Sequence, residues 1–249
     1  MLLEEIEEEP IVERTCRLSP GAMLYAVLRL RKSGIYGLLD VFSAIPDAQF
    51  PTCIQNAEQE LLEKGYGVMD FDGNFSLEED FARLVSGCAD ENCVLQIDRR
   101  KEGKQERMTC YLHQGAALTQ AGTDCILDAG AALPGAVLDF LGLPKESEDL
   151  EETAVESRLI AEQDVAGLME AGCGETLARL ITAAAAGEGG YAQLVRITDK
   201  VQTQLLALAW SEAGTVTVEV EYPDDREMFR LTPVTAQAAG ERIAAMAAL

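Results

Sequence analysis

The chain has 249 residues, enough for one large domain or two small ones with a substantial core. Its 43 acidic residues outnumber its 20 basic residues and give a formal net charge of −23. Because affinity for nucleic acids and anionic membranes depends on Lys and Arg, this balance argues against both kinds of partner.

Seven cysteines are spread along the chain, at positions 16, 53, 88, 93, 110, 125 and 173. Their odd number in a large chain predicts free thiols in a reducing compartment rather than a disulfide framework. The acidic amino-terminal segment lacks the basic and apolar regions of a signal peptide. The longest apolar runs, such as residues 205–210, are far too short to span a bilayer. We therefore expect a cytoplasmic protein that does not insert into a membrane.

The amino-terminal part of the chain is predicted to contain an acidic terminus and two helices. Residues 1–14 are rich in glutamate and are predicted to be flexible, although the segment 11–18 offers an edge strand. A Ser-Pro pair at 19–20 predicts the start of a helix that runs to Gly34, because serine caps free amide groups and proline suits the first turn. A second short helix is predicted over residues 35–44.

A helix, a short hairpin and another helix are predicted next, an order that is typical of winged-helix DNA-binding proteins. Thr52 opens the third helix with the spacing of a capping box, and Gly65 is a natural end for it. The Asp-Gly-Asn turn at 72–74 indicates a hairpin. Ser76 opens the fourth helix with a second capping box.

The charge of this winged-helix-like unit decides how it is interpreted. A DNA-reading helix needs basic and amide side chains on its exposed face. Between Pro51 and Ser76 the only basic residue is Lys64, against five acidic residues. We therefore interpret the unit as scaffold or as a surface that faces a protein. A transcriptional or ligand-sensing regulator built on this unit is the alternative function.

Strands are predicted from residue 93 onwards, with one dense basic cluster between the first two. Segments 93–97 and 108–112 are apolar strands, joined by a polar loop over residues 98–107, and 116–122 and 124–129 are shorter strands. The loop either binds an acidic partner or is a solvated tip that keeps a strand edge from pairing. Its basic residues are candidates for partner binding: Arg99, Arg100, Lys101, Lys104 and Arg107.

The second part of the chain repeats this plan. A helix over 135–143 and an acidic linker over 145–157 lead into helices over 158–172 and 175–187. Strands return at 192–198, 204–210, 215–221 and 227–232, and a last helix is predicted over 235–249. Trp210 ends a very apolar strand, so we expect it in the core or on a sheet face. On an open face it would be a natural anchor for a partner, and it is the sixth candidate binding residue.

The order of elements predicts the fold class. Segment 94–98 corresponds to 194–198, and the other elements follow at an offset near one hundred residues. We expect an α+β fold in a quasi-twofold arrangement, with a central, mainly antiparallel sheet flanked by helices. The predicted halves are residues 15–144 and 145–249, within one compact domain.

Motifs for catalysis, cofactors and metals are weak. The glycines at 187–190 follow a helix and precede a strand, which is the reverse of a phosphate loop. The acidic turn at 70–74 lacks the glycine position and the twelfth-position glutamate of a calcium loop. Cys88, Cys93 and His113 lack the paired spacing of a zinc site. No cofactor, metal or catalytic residue is predicted, and an enzyme of an unrecognised class is the least supported function.

Two stretches of the sequence are similar to a known family. Residues 55–88, "QNAEQELLEKGYGVMDFDGNFSLEEDFARLVSGC", lead from a helix through a hairpin to a helix before strand "VLQI". Residues 205–221, "LLALAWSEAGTVTVEVE", close a strand meander before a final helix. In this order of elements, over residues 15–249, the chain resembles the cytosolic EspG chaperones of ESX, or type VII, secretion and their relatives in Gram-positive bacteria.

The resemblance implies both a fold and a function. Proteins of that family have a quasi-twofold fold with a central antiparallel sheet, and they bind helical secretion substrates in the cytosol. A chaperone of this kind shields the apolar tip of a WXG-type or helical-hairpin substrate before export. It would act as a monomer or a homodimer, without a cofactor.

Overall fold

The computed structural model describes residues 14–38, 40–144, 150–156, 165–170 and 172–248. Residues 1–13 of the terminus predicted to be flexible lie outside the described residues, whereas its last residue, Arg14, begins an edge strand. Residues 145–149 and 157 of the predicted acidic linker, and residues 158–164 and 171 of the helix predicted after it, also lie outside the described residues.

The described residues form seven α-helices and twelve β-strands. The helices are α1 Pro20–Arg29, α2 Phe50–Glu63, α3 Glu79–Asp90, α4 Leu133–Leu141, α5 Val165–Glu170, α6 Glu175–Ala186 and α7 Ala236–Ala247. The first strands are β1 Arg14–Leu18, β2 Gly67–Met69, β3 Phe75–Leu77, β4 Cys93–Lys101, β5 Lys104–Tyr111, β6 Ala116–Ala121 and β7 Asp124–Ala129. The remaining strands are β8 Thr153–Glu156, β9 Gly190–Thr198, β10 Val201–Ser211, β11 Gly214–Glu221 and β12 Met228–Val234.

Ten of these strands form a single sheet in the order β1-β7-β6-β5-β4-β9-β10-β11-β12-β8, and β2 and β3 form a separate hairpin. All neighbouring strands are antiparallel. At the centre, β4 and β9 pair along their whole length, from Cys93 opposite Thr198 to Lys101 opposite Gly190. On either side lie a four-strand meander and one edge strand, and a helix closes each meander. The predicted α+β class, with a large antiparallel sheet flanked by helices, is confirmed.

Both faces of the sheet are covered, by different helices. Side chains alternate along each strand: on β4, Val94 packs with α1, α2 and α3, whereas Leu95 packs with α4 and α7. On β10, Ala209 packs with α5 and α6, whereas Trp210 packs with α4 and α7. Arg100 lies on the same face of β4 as Val94, and it stands opposite Tyr191 on β9, which packs against α6. Helices α1–α3 and α5–α6 therefore cover the same face of the sheet. Helices α4 and α7 cover the other.

The start of α1 is as predicted, whereas the helix predicted after it is wrong. Ser19 Oγ accepts a hydrogen bond from the Ala22 amide at 3.1 Å, and Pro20 stands in the first turn. Helix α1 ends at Arg29, and the described residues between 35 and 44 form turns. Gly37 has a φ of 80° and packs against Thr109, and Asp40 Oδ1 accepts hydrogen bonds from two following amides. Such local turn bonds compete with helix formation.

Helices α2 and α3 exist as predicted, but both predicted capping boxes are wrong. Helix α2 begins at Phe50, and Gln49 makes no side-chain cap. Helix α3 is capped by Glu78, whose carboxylate accepts from two backbone amides and also pairs with Arg14. Ser76 cannot cap this helix because it lies in β3, opposite Val68.

Two strands differ from the prediction. The polar loop predicted over 98–107 is mostly strand, because β4 and β5 continue to a two-residue turn in which Glu102 and Gly103 have φ values of 52° and 70°. Charge pairs across the ladder make this polar stretch compatible with a sheet. Strand β8 lies within the predicted acidic linker, where Val155 is buried opposite Phe229.

Candidate partner-binding site

The predicted basic cluster is divided between the two faces of the sheet. Arg99 lies on the α4 face, where its guanidinium donates to the Phe140 carbonyl and to Glu106, and stacks 4.3 Å from the centre of the Phe140 ring. Arg107 lies on the opposite face and donates to Asp98 Oδ1 at 2.6 Å. Both arginines therefore hold parts of this protein together. Lys104 is exposed at the hairpin turn, and Lys101 is half-buried beside it.

Trp210 is in the core. Its side chain is 3% exposed and packs among residues of α4 and α7. The indole ring lies against Gly190, in space that a Cβ at this position would occupy. Burial of the large apolar ring stabilises the fold, while Nε1 of the indole has no hydrogen-bond partner in the described chain. The structure thus places Trp210 on a covered face, and its predicted role as an anchor required an open one.

Arg100 has a different environment from the rest of the cluster. It is exposed, and its guanidinium makes no hydrogen bond or ion pair with any residue that the structure describes. Its side chain borders a groove that runs along the sheet face beside α6. This is the one candidate residue that the fold brings to a concave, apolar surface.

The groove has a volume of about 610 Å³. Helix α6 supplies one wall through Ile181 and Ala184, and strands β9–β12 supply the floor. Its lining is mostly apolar, and two of its side chains stand well out into solvent: Leu205 is 57% exposed and Val220 is 50% exposed. Exposed apolar side chains clustered in a concave surface are typical of a binding site for an apolar ligand or partner.

The groove exists because two neighbouring strands part. Strand β10 pairs with β11 only from Leu208 to Ser211, and within the described chain no earlier residue of β10 pairs with β11. Side chains that alternate between the two faces, such as those of Leu205 and Leu206, both line the groove. The groove therefore reaches between the strands and is not only a hollow on the sheet surface.

The sequence analysis missed the apolar residues of this groove. Leu205 begins a very apolar run, and Val220 continues the alternation that starts at Val216. Both patterns are typical of residues that face the core. What exposes both is the parting of β10 and β11, which is a tertiary feature. The one sequence signal was the apolar character of β10 on both of its faces.

The winged-helix-like unit is built as predicted from α2, the β2–β3 hairpin and α3. Lys64, its only base before Ser76, donates at 2.9 Å to both the Arg17 carbonyl and Glu60. Phe71 at the hairpin tip is fully exposed, between Asp70 and Asp72. Up to the start of α3 the unit thus presents acidic and apolar groups to solvent, which are not groups that bind phosphate.

The single histidine takes part in a buried polar contact. Glu91 accepts hydrogen bonds from the amides of Asn92, Cys93 and His113, and its Oε1 lies 2.6 Å from His113 Nδ1. Burial alone would raise the pKa of the Glu91 carboxyl, but these hydrogen bonds outweigh it and hold the pKa below its ordinary value. No group of three or more His, Cys, Asp or Glu side chains that could hold a metal occurs among the described residues.

Within the described parts of the chain, every helix is too short or too polar to cross a bilayer.

The fold of this chain is similar to that of a protein of known structure. No model of a known protein family matches the chain, and no curated protein matches it. Among solved structures, the chain is similar to the type VII secretion system chaperone EspG5 of Mycobacterium tuberculosis, solved in complex with a PE25–PPE41 dimer. The match has 11% identity and a TM-score of 0.58, and it covers 93% of this chain and 95% of that chain. It shows that the two proteins share a fold over nearly their full lengths.

Proposed function

We propose that this protein is a cytoplasmic chaperone or adaptor that binds helical substrates of a type VII secretion system and keeps them soluble before export. In this proposal it is a binding protein and not an enzyme. The observation that carries the proposal is the open apolar groove between α6 and the parted strands β10 and β11. The fold shared with EspG5, itself a secretion chaperone, supports it.

The groove has the size for the tip of a helical hairpin. An α-helix with its side chains is about 10–12 Å across, so a volume of about 610 Å³ holds a few side chains of a helix end and not a whole helix. A substrate tip that covers Leu205 and Val220 would remove apolar surface from water on both partners. This burial is the driving force that we assign to complex formation.

The proposed substrate is a WXG-type protein or another helical hairpin, and the chaperone acts as a monomer or a homodimer without a cofactor. A reducing compartment suits the chain because all seven cysteines are free thiols, as they are in most cytosolic proteins. Strong acidity supports solubility while an apolar groove stands open.

Co-expression tests this function. The protein is produced together with each small helical protein encoded beside its gene, and the mixture is separated by size-exclusion chromatography. We expect one stoichiometric complex, and we expect the partner to precipitate when it is produced alone. Leu205→Asp is the matched variant, since it should lose the complex while the protein itself stays folded.

Elution of the protein by itself, with every helical neighbour in turn, would overturn the proposed function. If the complex forms equally well with Leu205→Asp, the binding site lies outside the groove.

A further inference from the structure

The polar chemistry of the groove rests on very few side chains. Arg100 is its only cationic lining residue among those described, and Glu219 is its only carboxylate. The rest of the lining is apolar or uncharged, so a ligand that enters finds one guanidinium at the border of an apolar surface.

Arg100 is also the one arginine of the β4–β5 hairpin whose guanidinium has no partner among the described residues. Arg99 donates to Glu106 and to the Phe140 carbonyl, and Arg107 donates to Asp98. Arg100 makes no such bond with any described residue, although it stands directly opposite Tyr191 on the neighbouring central strand. Its five N–H donors are available to a ligand in the groove.

Two other arginines on the central strands, Arg99 and Arg196, bind the C-terminal ends of helices of this protein. On β4, Arg99 donates to the carbonyl of Phe140, in the last turn of α4. On β9, Arg196 Nη1 donates to the carbonyls of Met246 and Ala248, at the end of α7, at 3.1 and 2.5 Å. In both cases a guanidinium binds carbonyl oxygens that have no partner within the helix, at the negative end of the helix dipole.

We infer that Arg100 binds the carbonyl oxygens at the C-terminal end of a substrate helix whose apolar tip occupies the groove. The inference rests on the proposed function. It specifies which part of the substrate the groove binds, namely the C-terminal end of a helix. Arg100 would then do for a substrate helix on one face of the sheet what Arg99 does for α4 on the other.

A helix end fits this site better than an acidic side chain does. The protein carries a net charge of −23, and Glu219 lines the same groove. A carboxylate on the substrate would be repelled by this field, whereas the carbonyls of a helix end carry partial charges without a net charge.

A designed helical hairpin serves as the probe. It is closed by a disulfide, has an apolar tip of Leu and Gly, has an amidated C-terminus, and contains neither Asp nor Glu. Its affinity is measured by calorimetry for the wild-type protein, Arg100→Gln, Arg100→Lys and the control Lys104→Gln, which is exposed on the same hairpin but does not line the groove. We expect Arg100→Gln to weaken binding about tenfold, Arg100→Lys to weaken it less, and Lys104→Gln to leave it unchanged.

Circular dichroism establishes that each variant is folded. Equal affinities of the wild-type protein and Arg100→Gln would overturn the inference and leave the proposed function standing. The inference would fail equally if a probe with one Asp at its tip bound much more tightly than the first probe. If the wild-type protein binds its natural secreted partner but not the probe, the inference alone falls, and if it binds neither, both fall.

Discussion

Trp210 and Gly190 stand directly opposite each other on β10 and β9, and the indole fills the space that a side chain at residue 190 would occupy. Gly190 is fully or nearly fully buried, and the ring lies against its bare α-carbon. This contact sits at the end of both strands, where Gly190 also pairs with Lys101 of β4. A single glycine therefore lets the largest side chain of the protein close the core under α4 and α7.

Gly190→Ala should destabilise the protein. A Cβ at this position overlaps the indole of Trp210, and the Trp210 side chain cannot move far within a packed core. We expect the free energy of unfolding to fall by about 1–3 kcal/mol, the usual cost of overpacking. Urea unfolding followed by circular dichroism measures this loss.

The matched control is Gly135→Ala in the first part of α4. Its backbone has no left-handed φ, a Cβ there meets nothing within 4 Å, and the position is exposed. Alanine is a better helix former than glycine, so this change should be neutral or stabilise by about 0.4–1 kcal/mol. The packing argument would be wrong if both variants had the same stability.

The fluorescence of Trp210, the only tryptophan, should report the core and not the groove. Because the ring is 3% exposed, we expect emission at short wavelength and weak quenching by acrylamide in the folded protein. Both should change on unfolding. Saturation with a helical partner should leave the acrylamide quenching of Trp210 unaltered. A strong decrease in this quenching on partner binding would show that Trp210 is part of the binding surface.

Regular patterns along the chain predicted most of the fold. The alternation of Val216 with its polar neighbours predicted a half-buried strand, and Val216 is fully buried. The Ser-Pro start of α1 and the strand meander in each half follow equally from local signals. The pairing of β4 with β9, which joins the two meanders, was not predicted. Exact helix starts were among the failures, since Ser76 and Thr52 have the right composition for caps but lie in β3 and inside α2. The helix predicted over residues 35–44 also failed, because local turn bonds replace it.

The candidate site was less predictable, and Arg99 and Arg100 show why. The two residues are neighbours with the same chemistry, yet strand alternation sends one to α4 and the other to the groove. Because the segment 98–107 was interpreted as a loop, alternation could not be applied to it. The parting of β10 from β11, which exposes Leu205, depends on how distant elements pack, and the apolar character of β10 on both faces does not by itself predict it.

Leu205→Asp and Val220→Asp should strongly weaken partner binding and barely change the free energy of unfolding. Both side chains are at least half exposed, so a carboxylate can remain in water in the free protein. In the complex the same carboxylate would be buried without a partner, which is costly. We expect binding to weaken at least tenfold in calorimetry or in pull-down with the partner that co-expression identifies.

Val201→Asp is the control for both groove variants. Val201 is 62% exposed on the same strand as Leu205, but it does not line the groove. Its substitution adds the same charge at a similar exposure and should leave the affinity within about twofold of wild type, as surface substitutions usually do. Equal losses in all three variants would indicate a general effect of added negative charge.

Glu91 should make an acid-sensitive contribution to stability. Its side chain is 1% exposed, and this burial alone would raise the pKa of the carboxyl. The hydrogen bond with the His113 ring and those from the Cys93 and His113 amides outweigh burial and keep the pKa below its ordinary value of 4.5. A carboxyl with a lowered folded-state pKa contributes stability above the unfolded-state pKa, and loses it as the pH falls through the folded-state pKa. Glu91→Gln removes this titration and leaves one acceptor oxygen for several donors, so we expect a loss of about 1–3 kcal/mol at neutral pH.

The difference in unfolding free energy between wild type and Glu91→Gln isolates this residue, because the other carboxyls with lowered pKa values, such as Glu60 and Glu78, are present in both proteins. Urea unfolding is measured at a series of pH values from neutral to below 4.5. We expect the difference to be fully present above that value and to shrink once the pH is below it, since protonation makes Glu91 resemble a neutral amide. A difference that stays constant across the series would mean that the shape of the side chain matters at this position and its charge does not.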